Sequence, residues 1–145
     1  MKIVIVDYGM GNLKSVLSVF EYLGYQDLAI SSSPAVLNQA DKLILPGVGS
    51  FAMAMSNLNE FKLSSLIRDL VTIDQIPLLG ICLGMQLMGK SSTEGGLTEG
   101  LGLVDGIVNN FTSGDLKIPH VGYNQVEISE SSRLFKDIPD LPDYY

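Results

Sequence analysis

Apolar positions follow two different periods along the first ninety residues. Lys2 to Val6 is a short β-branched run, the pattern of a strand covered on both faces. After Asp7-Tyr8-Gly9-Met10-Gly11-Asn12, apolar residues recur at Leu13, Val16, Leu17, Phe20 and Leu23, which is helical spacing, until Gly24 stops them. Leu28 to Ile30 predicts a weak second strand, and Ser33-Pro34 supplies an N-cap followed by proline at the first helical position, opening a short helix to about Ala40. Lys42 to Leu45 predicts a third strand that ends in the turn Pro46-Gly47-Val48-Gly49-Ser50, followed by helical segments over Phe51–Leu58 and Leu63–Val71. Strands alternating with helices predict an α/β protein with a doubly wound, mostly parallel sheet and right-handed crossovers, whose ligand site lies at the carboxyl ends of the strands.

The period changes most abruptly between Pro77 and Met88. Leu78 to Ile81 predicts a buried strand, while Leu83, Gln86 and Leu87 continue at helical spacing, so the chain turns sharply at Cys82. Gly80 and Gly84 flank this cysteine at minus two and plus two, the small-x-nucleophile-x-small pattern of an elbow that projects one strained side chain from the sheet edge. A helix opening at Leu83 points its free N–H groups toward the sulfur, which favours thiolate. Taken alone, a free cysteine is also a small apolar core residue. A membrane span over Ile76–Gly89 is excluded by length: 14 residues with three glycines fall short of the ~20 apolar residues required.

Beyond Gly89 the helical period disappears. Lys90 to Gly102, rich in Gly, Ser, Thr and Glu, reads as a surface loop; Gly106–Phe111 and Gln125–Ile128 read as strands on either side of Thr112–Asn124, giving a β-rich extension after residue 100. With 145 residues the chain suits a single domain, and its aromatic end at Asp143-Tyr144-Tyr145 reads as a domain cut short. Hydrophobic residues make up 46% and charged residues 17%, which excludes disorder. A net charge of −7, with nine basic residues scattered among sixteen acidic ones, argues against a nucleic-acid partner. One cysteine and no apolar leader point to the cytoplasm, and nothing implies a membrane, a metal or a cofactor. Gly9 and Gly11 are not a dinucleotide fingerprint, because Lys14 stands where the third glycine belongs.

A thiolate attacking an acyl carbon needs donors for the developing oxyanion. The elbow offers the Leu83 backbone N–H, and Pro46-Gly47-Val48-Gly49 ends a neighbouring strand where a second could turn inward; an ordinary βα turn has the same composition. Gln86, four residues past Cys82, could fix a polar substrate or serve as a partly buried structural amide. Gly80-Ile81-Cys82-Leu83-Gly84-Met85-Gln86-Leu87, Pro46-Gly47-Val48-Gly49, Asp7-Tyr8-Gly9-Met10-Gly11-Asn12-Leu13 and Pro119-His120-Val121-Gly122-Tyr123-Asn124, in this order, closely resemble the glutamine amidotransferase subunits of imidazole glycerol phosphate synthases, within the wider triad glutaminases.

The resemblance spans the whole chain and implies a flavodoxin-like amidotransferase domain over residues 1–145 in which Cys82 attacks the side-chain amide of L-glutamine, forms a thioester and releases ammonia to a synthase subunit. It implies an oxyanion hole from Val48, Gly49 and Leu83 and glutamine contacts from Gly47, Gly49 and Gln86. Asn12, Pro119, His120, Tyr123 and Asn124 are implied to face the partner in a heterodimer; Tyr123 stands where the family usually carries tryptophan. The family's general-base histidine and its orienting glutamate lie near the end of a chain of about 200 residues, so the 145 residues alone are expected to be inactive. His120, the one histidine, matches the docking segment and is not recruited as the base. A paralogue feeding ammonia to a sugar-modifying enzyme and a docking partner without a working triad remain open; the segment Pro119 to Asn124 argues against an unrelated cysteine hydrolase on a similar sheet.

Overall fold

The computed structural model describes residues 1–111, 118–119, 121–127, 135 and 143–144. It divides into two compact units, 1–110 and 111–145. The first is built on four parallel strands, β1 (Ile3–Val6), β2 (Leu28–Ser31), β3 (Lys42–Gly47) and β4 (Leu78–Cys82), in the order β2-β1-β3-β4. The helices are α1 (Leu13–Tyr22), α2 (Pro34–Leu37), α3 (Phe51–Glu60), α4 (Leu63–Thr72) and α5 (Leu83–Leu87).

Side chains on the strands alternate between two cores. Ile3, Ile5 and Ile44 pack beneath Leu13, Val16, Leu17 and Phe20 of α1. Val4, Val6, Leu43 and Leu45 point the other way into the larger core, which takes Leu37 of α2, Phe51, Ala54, Met55 and Leu58 of α3, Leu63, Ile67 and Leu70 of α4, and Leu83 and Leu87 of α5. The sheet is therefore doubly wound, as the alternating pattern predicts. From β1 the chain steps first to β2 and then across to β3 on the opposite side, which makes the carboxyl ends of β1 and β3 the switch point where ligands bind in open α/β sheets. On the α1 side of β4, Leu79 and Ile81 remain 40% and 37% exposed.

Two boundaries differ from the sequence expectation. Strand β3 runs through Pro46 and Gly47, which the composition assigns to a turn, and these pair with Ile81 and Cys82. Proline is tolerated there because pairing with β1 already ends at Ile5 opposite Ile44, so no donor is needed from Pro46. Lys90 to Gly102 is not an open loop. It folds back through β5 (Ser91–Ser92) and β6 (Thr98–Glu99), which are antiparallel, and β7 (Ile107–Val108) pairs with β5 in parallel. Strands of two residues are too short to leave an alternating pattern. In the second unit β8 (Asn124–Gln125) pairs antiparallel with β9 (Asp143–Tyr144), inside the expected β-rich extension.

Leu45 is fully buried at the centre of β3 and faces Gly80 of β4 across the ladder. Leu45→Ala should lower unfolding stability by about 2–5 kcal/mol, whereas Val19→Ala on the open face of α1 should change it by less than about 0.5 kcal/mol. Urea denaturation with unchanged slope checks both values.

Candidate active site

Cys82 ends β4, and α5 begins at the next residue. Its backbone has φ 56° and ψ −119°, a conformation costly for any residue with a Cβ, and its side chain is exposed at the sheet's carboxyl edge. Such a turn persists only where the surroundings enforce it, and two glycines let them do so. A Cβ on Gly84 would collide with the Leu45 carbonyl of β3, and one on Gly80 would sit 2.6 Å from the Met85 Cα of α5. Helix α5 is thus laid directly on β3 and β4, and the chain has no room for a gentler bend at Cys82.

The neighbouring strand end comes level with the sulfur. Gly47 is the ladder partner of Cys82, so the two residues are one inter-strand spacing apart, about 4.8 Å. Val48 and Gly49 follow at once; Val48 is 54% exposed, and Gly49 has φ +96°, which favours glycine. Ser50 then caps α3 by accepting the Met53 N–H at 3.4 Å. Leu83 is buried as the first residue of α5. The structure therefore brings Cys82, Leu83, Gly47, Val48 and Gly49 to one edge. Gln86 lies further along α5 and lines an apolar pocket of about 230 Å³ with Met85, Met88, Gly89, Val104, Gly106, Ile107 and Val108. Cys82 is not among the residues lining that pocket.

Two residues at this edge escape the sequence reading. Tyr8 is fully buried: its hydroxyl donates to the Pro46 carbonyl at 2.7 Å, and its own carbonyl accepts from Asn57 Nδ2 at 3.1 Å. Burial, and secondly the Cys82 sulfur nearby, pushes its phenol from the usual 10 up to about 12. The clue was present, since Val4, Val6 and Tyr8 continue one alternation into the larger core. Glu94 reaches from the β5–β6 turn to accept the Phe51 N–H at the start of α3, at 3.2 Å. No local signal joins residues so far apart in sequence.

The expected docking residues divide between the two units. Asn12 caps α1, its side chain accepting the Ser15 N–H at 3.3 Å. In the second unit Tyr123 is 75% exposed, Pro119 is exposed and Asn124 opens β8. His120 lies outside the described residues. Among the described residues no group of three or more His, Cys, Asp or Glu could hold a metal ion, and no helix is long and apolar enough to cross a membrane.

A strained cysteine on a strand-to-helix turn beside a glycine-rich strand end is the arrangement of a cysteine acyl-transfer site, and comparison narrows it. The family model for glutamine amidotransferase class-I matches residues 4–143. This chain belongs to the class-I glutamine amidotransferase family. Among its relatives, imidazole glycerol phosphate synthase subunit HisH 2 of Vibrio vulnificus is 44% identical over 146 residues, covering all of this chain and 68% of that protein. Subunit HisH of Vibrio parahaemolyticus is 48% identical over 149 residues, covering 99% and 71%. Subunit HisH of Moorella thermoacetica is 46% identical over 143 residues, covering 99% and 67%. A crystal structure of a glutamine amidotransferase shares the fold, with a TM-score of 0.62 and 20% identity over 73% of this amidotransferase and 55% of that chain.

Gly84→Ala should prevent the elbow from forming, because the added methyl group meets backbone that cannot move aside. The expected loss of stability is on the order of 3 kcal/mol or more. Gly106→Ala, where a Cβ meets nothing within 4 Å, should be close to neutral. Thermal unfolding of the two variants tests the contrast.

Proposed function

We propose that this amidotransferase is the glutaminase subunit of an imidazole glycerol phosphate synthase, acting in the cytoplasm in histidine biosynthesis. The observation that carries the reading is the pairing of Gly47 with Cys82, which sets a strained thiol beside a strand end rich in glycine, in a chain 44–48% identical to HisH subunits.

The family resemblance supplies the chemistry, and that geometry supports it. The Cys82 thiolate attacks the amide carbon of glutamine, and the carbonyl oxygen takes up negative charge. Backbone N–H groups of Leu83 and the Val48–Gly49 segment stabilise that charge. Collapse of the adduct breaks the carbon–nitrogen bond, and ammonia leaves with a proton from the general acid, forming a γ-glutamyl thioester. Water, deprotonated by the same group acting as base, hydrolyses the thioester to glutamate and regenerates the thiol. Gly47, Gly49 and Gln86 hold the glutamine. We assign the base to the family's histidine and not to His120, and assays use a chain of the relatives' length. Ammonia passes to the synthase subunit, which binds the acceptor; the residues assigned to docking are Asn12 in the first unit and Pro119, His120, Tyr123 and Asn124 in the second.

Cys82→Ser should lower glutaminase turnover in the complete heterodimer by about 10⁴-fold or more while changing glutamine affinity little, because the contacts assigned to Gly47, Gly49 and Gln86 remain. Steady-state kinetics and calorimetric titration with glutamine check the two halves separately. Tyr123→Ala should weaken binding of the cyclase subunit about thirtyfold, the effect of removing a central aromatic anchor worth ~2 kcal/mol. Lys90→Ala, which breaks an exposed ion pair with Asp105 at 2.8 Å, should leave that affinity unchanged. Equal affinities for the two variants would remove Tyr123 from the docking surface.

A further inference from the structure

The Pro46 carbonyl occupies an unusual position in the sheet. Leu43 donates its N–H to Pro77 on the β4 side, and successive residues of a strand turn their peptide groups to opposite neighbours, so Leu43, Leu45 and Gly47 face β4 while Ile44 and Pro46 face β1. Pairing with β1 stops at Ile44. The Pro46 carbonyl is therefore buried one step past the last ladder partner on its own side, where an unpaired carbonyl would be costly. Tyr8, two residues beyond the end of β1, supplies the missing donor at 2.7 Å.

The same hydroxyl also bounds Gly47. A Cβ there would lie 2.5 Å from Tyr8 Oη and 2.9 Å from Leu83 Cβ, so the strand end is closed in between the tyrosine and the start of α5. Two residues on, a Cβ on Gly49 would lie 2.9 Å from Met10 Cε. The β1–α1 loop thus backs the Pro46–Gly49 segment at both ends, with a hydrogen bond at one and a flexible thioether at the other.

We propose that Tyr8 is a positioning residue for the oxyanion strand: by holding the Pro46 carbonyl and filling the space beside Gly47, its hydroxyl fixes the direction in which the Val48–Gly49 peptide leaves β3 and presents its N–H toward the oxygen on the carbon attacked by Cys82. This rests on the glutaminase reading above. Tyr8 is walled off from solvent and touches no substrate; it acts through the strand. With its phenol pushed up to about 12 by burial and the nearby sulfur, it remains a donor throughout the neutral range.

Tyr8→Phe, made in the complete amidotransferase with its cyclase subunit, keeps the ring in the core and removes only the hydroxyl. Losing an oxyanion donor outright costs about 10² to 10³ in turnover, and misaiming one should cost a part of that, so kcat should fall about 10- to 100-fold with KM for glutamine changed less than about threefold. Alkylation of Cys82 by iodoacetamide, a displacement that needs no oxyanion hole, should proceed at the wild-type rate and also report that the elbow is folded. Turnover within about twofold of wild type would overturn the proposal and leave Tyr8 a packing residue. So would a loss confined to KM, or a fall in kcat matched by equally slow alkylation, since the first would place the effect in substrate binding and the second in the elbow. Wild-type turnover, and its loss in Cys82→Ser, test the glutaminase reading independently of Tyr8.

Discussion

The close approach of α5 to β3 is the constraint on which the rest of this edge depends. Gly84 rests on the Leu45 carbonyl with no space for a methyl group, and Gly80 lies against the backbone at Met85. With both contacts made, the chain passes from strand to helix within one residue, and Cys82 absorbs the turn at φ 56°. The strain is local; the energy that sustains it comes from Leu83 and Leu87, which anchor α5 in the larger core beside Phe51 and Tyr8. A cysteine held this way keeps a fixed direction even though its side chain is exposed.

The sheet topology explains why a second functional segment meets the first. Because β3 and β4 are parallel neighbours in register, their carboxyl ends finish level, with Gly47 opposite Cys82. Because the chain reverses direction across β1, the β1–α1 loop arrives at the same place, bringing Tyr8 against Pro46 and Met10 against Gly49. Three segments distant in sequence thus converge without any long loop reaching across the fold.

Most of the sheet and the elbow were legible in the sequence, for definite reasons. A β-branched run marked β1, a short apolar run marked β3, helical spacing marked α1, and the Gly80-x-Cys82-x-Gly84 spacing reflects a close approach that no larger residue satisfies. What escaped depends on distant partners. Pro46 and Gly47 look like a turn by composition, and only the ending of the β1 ladder makes proline acceptable in a strand there. The ribbon within residues 90–102 consists of pairs too short for a period, and Glu94 at the head of α3 pairs across 43 positions. Tyr8 was the accessible omission, because its alternation with Val4 and Val6 already placed it inward.

A covalent bond between the Cys82 sulfur and the acyl group of glutamine can be tested by trapping it with a reactive analogue. Incubating the complete heterodimer with 6-diazo-5-oxo-L-norleucine, a glutamine-shaped diazo ketone, and mapping the product by peptide mass spectrometry should yield one adduct per chain, on Cys82, formed more slowly when glutamine competes. An adduct on another residue, or labelling of Cys82 that glutamine does not slow, would contradict the account.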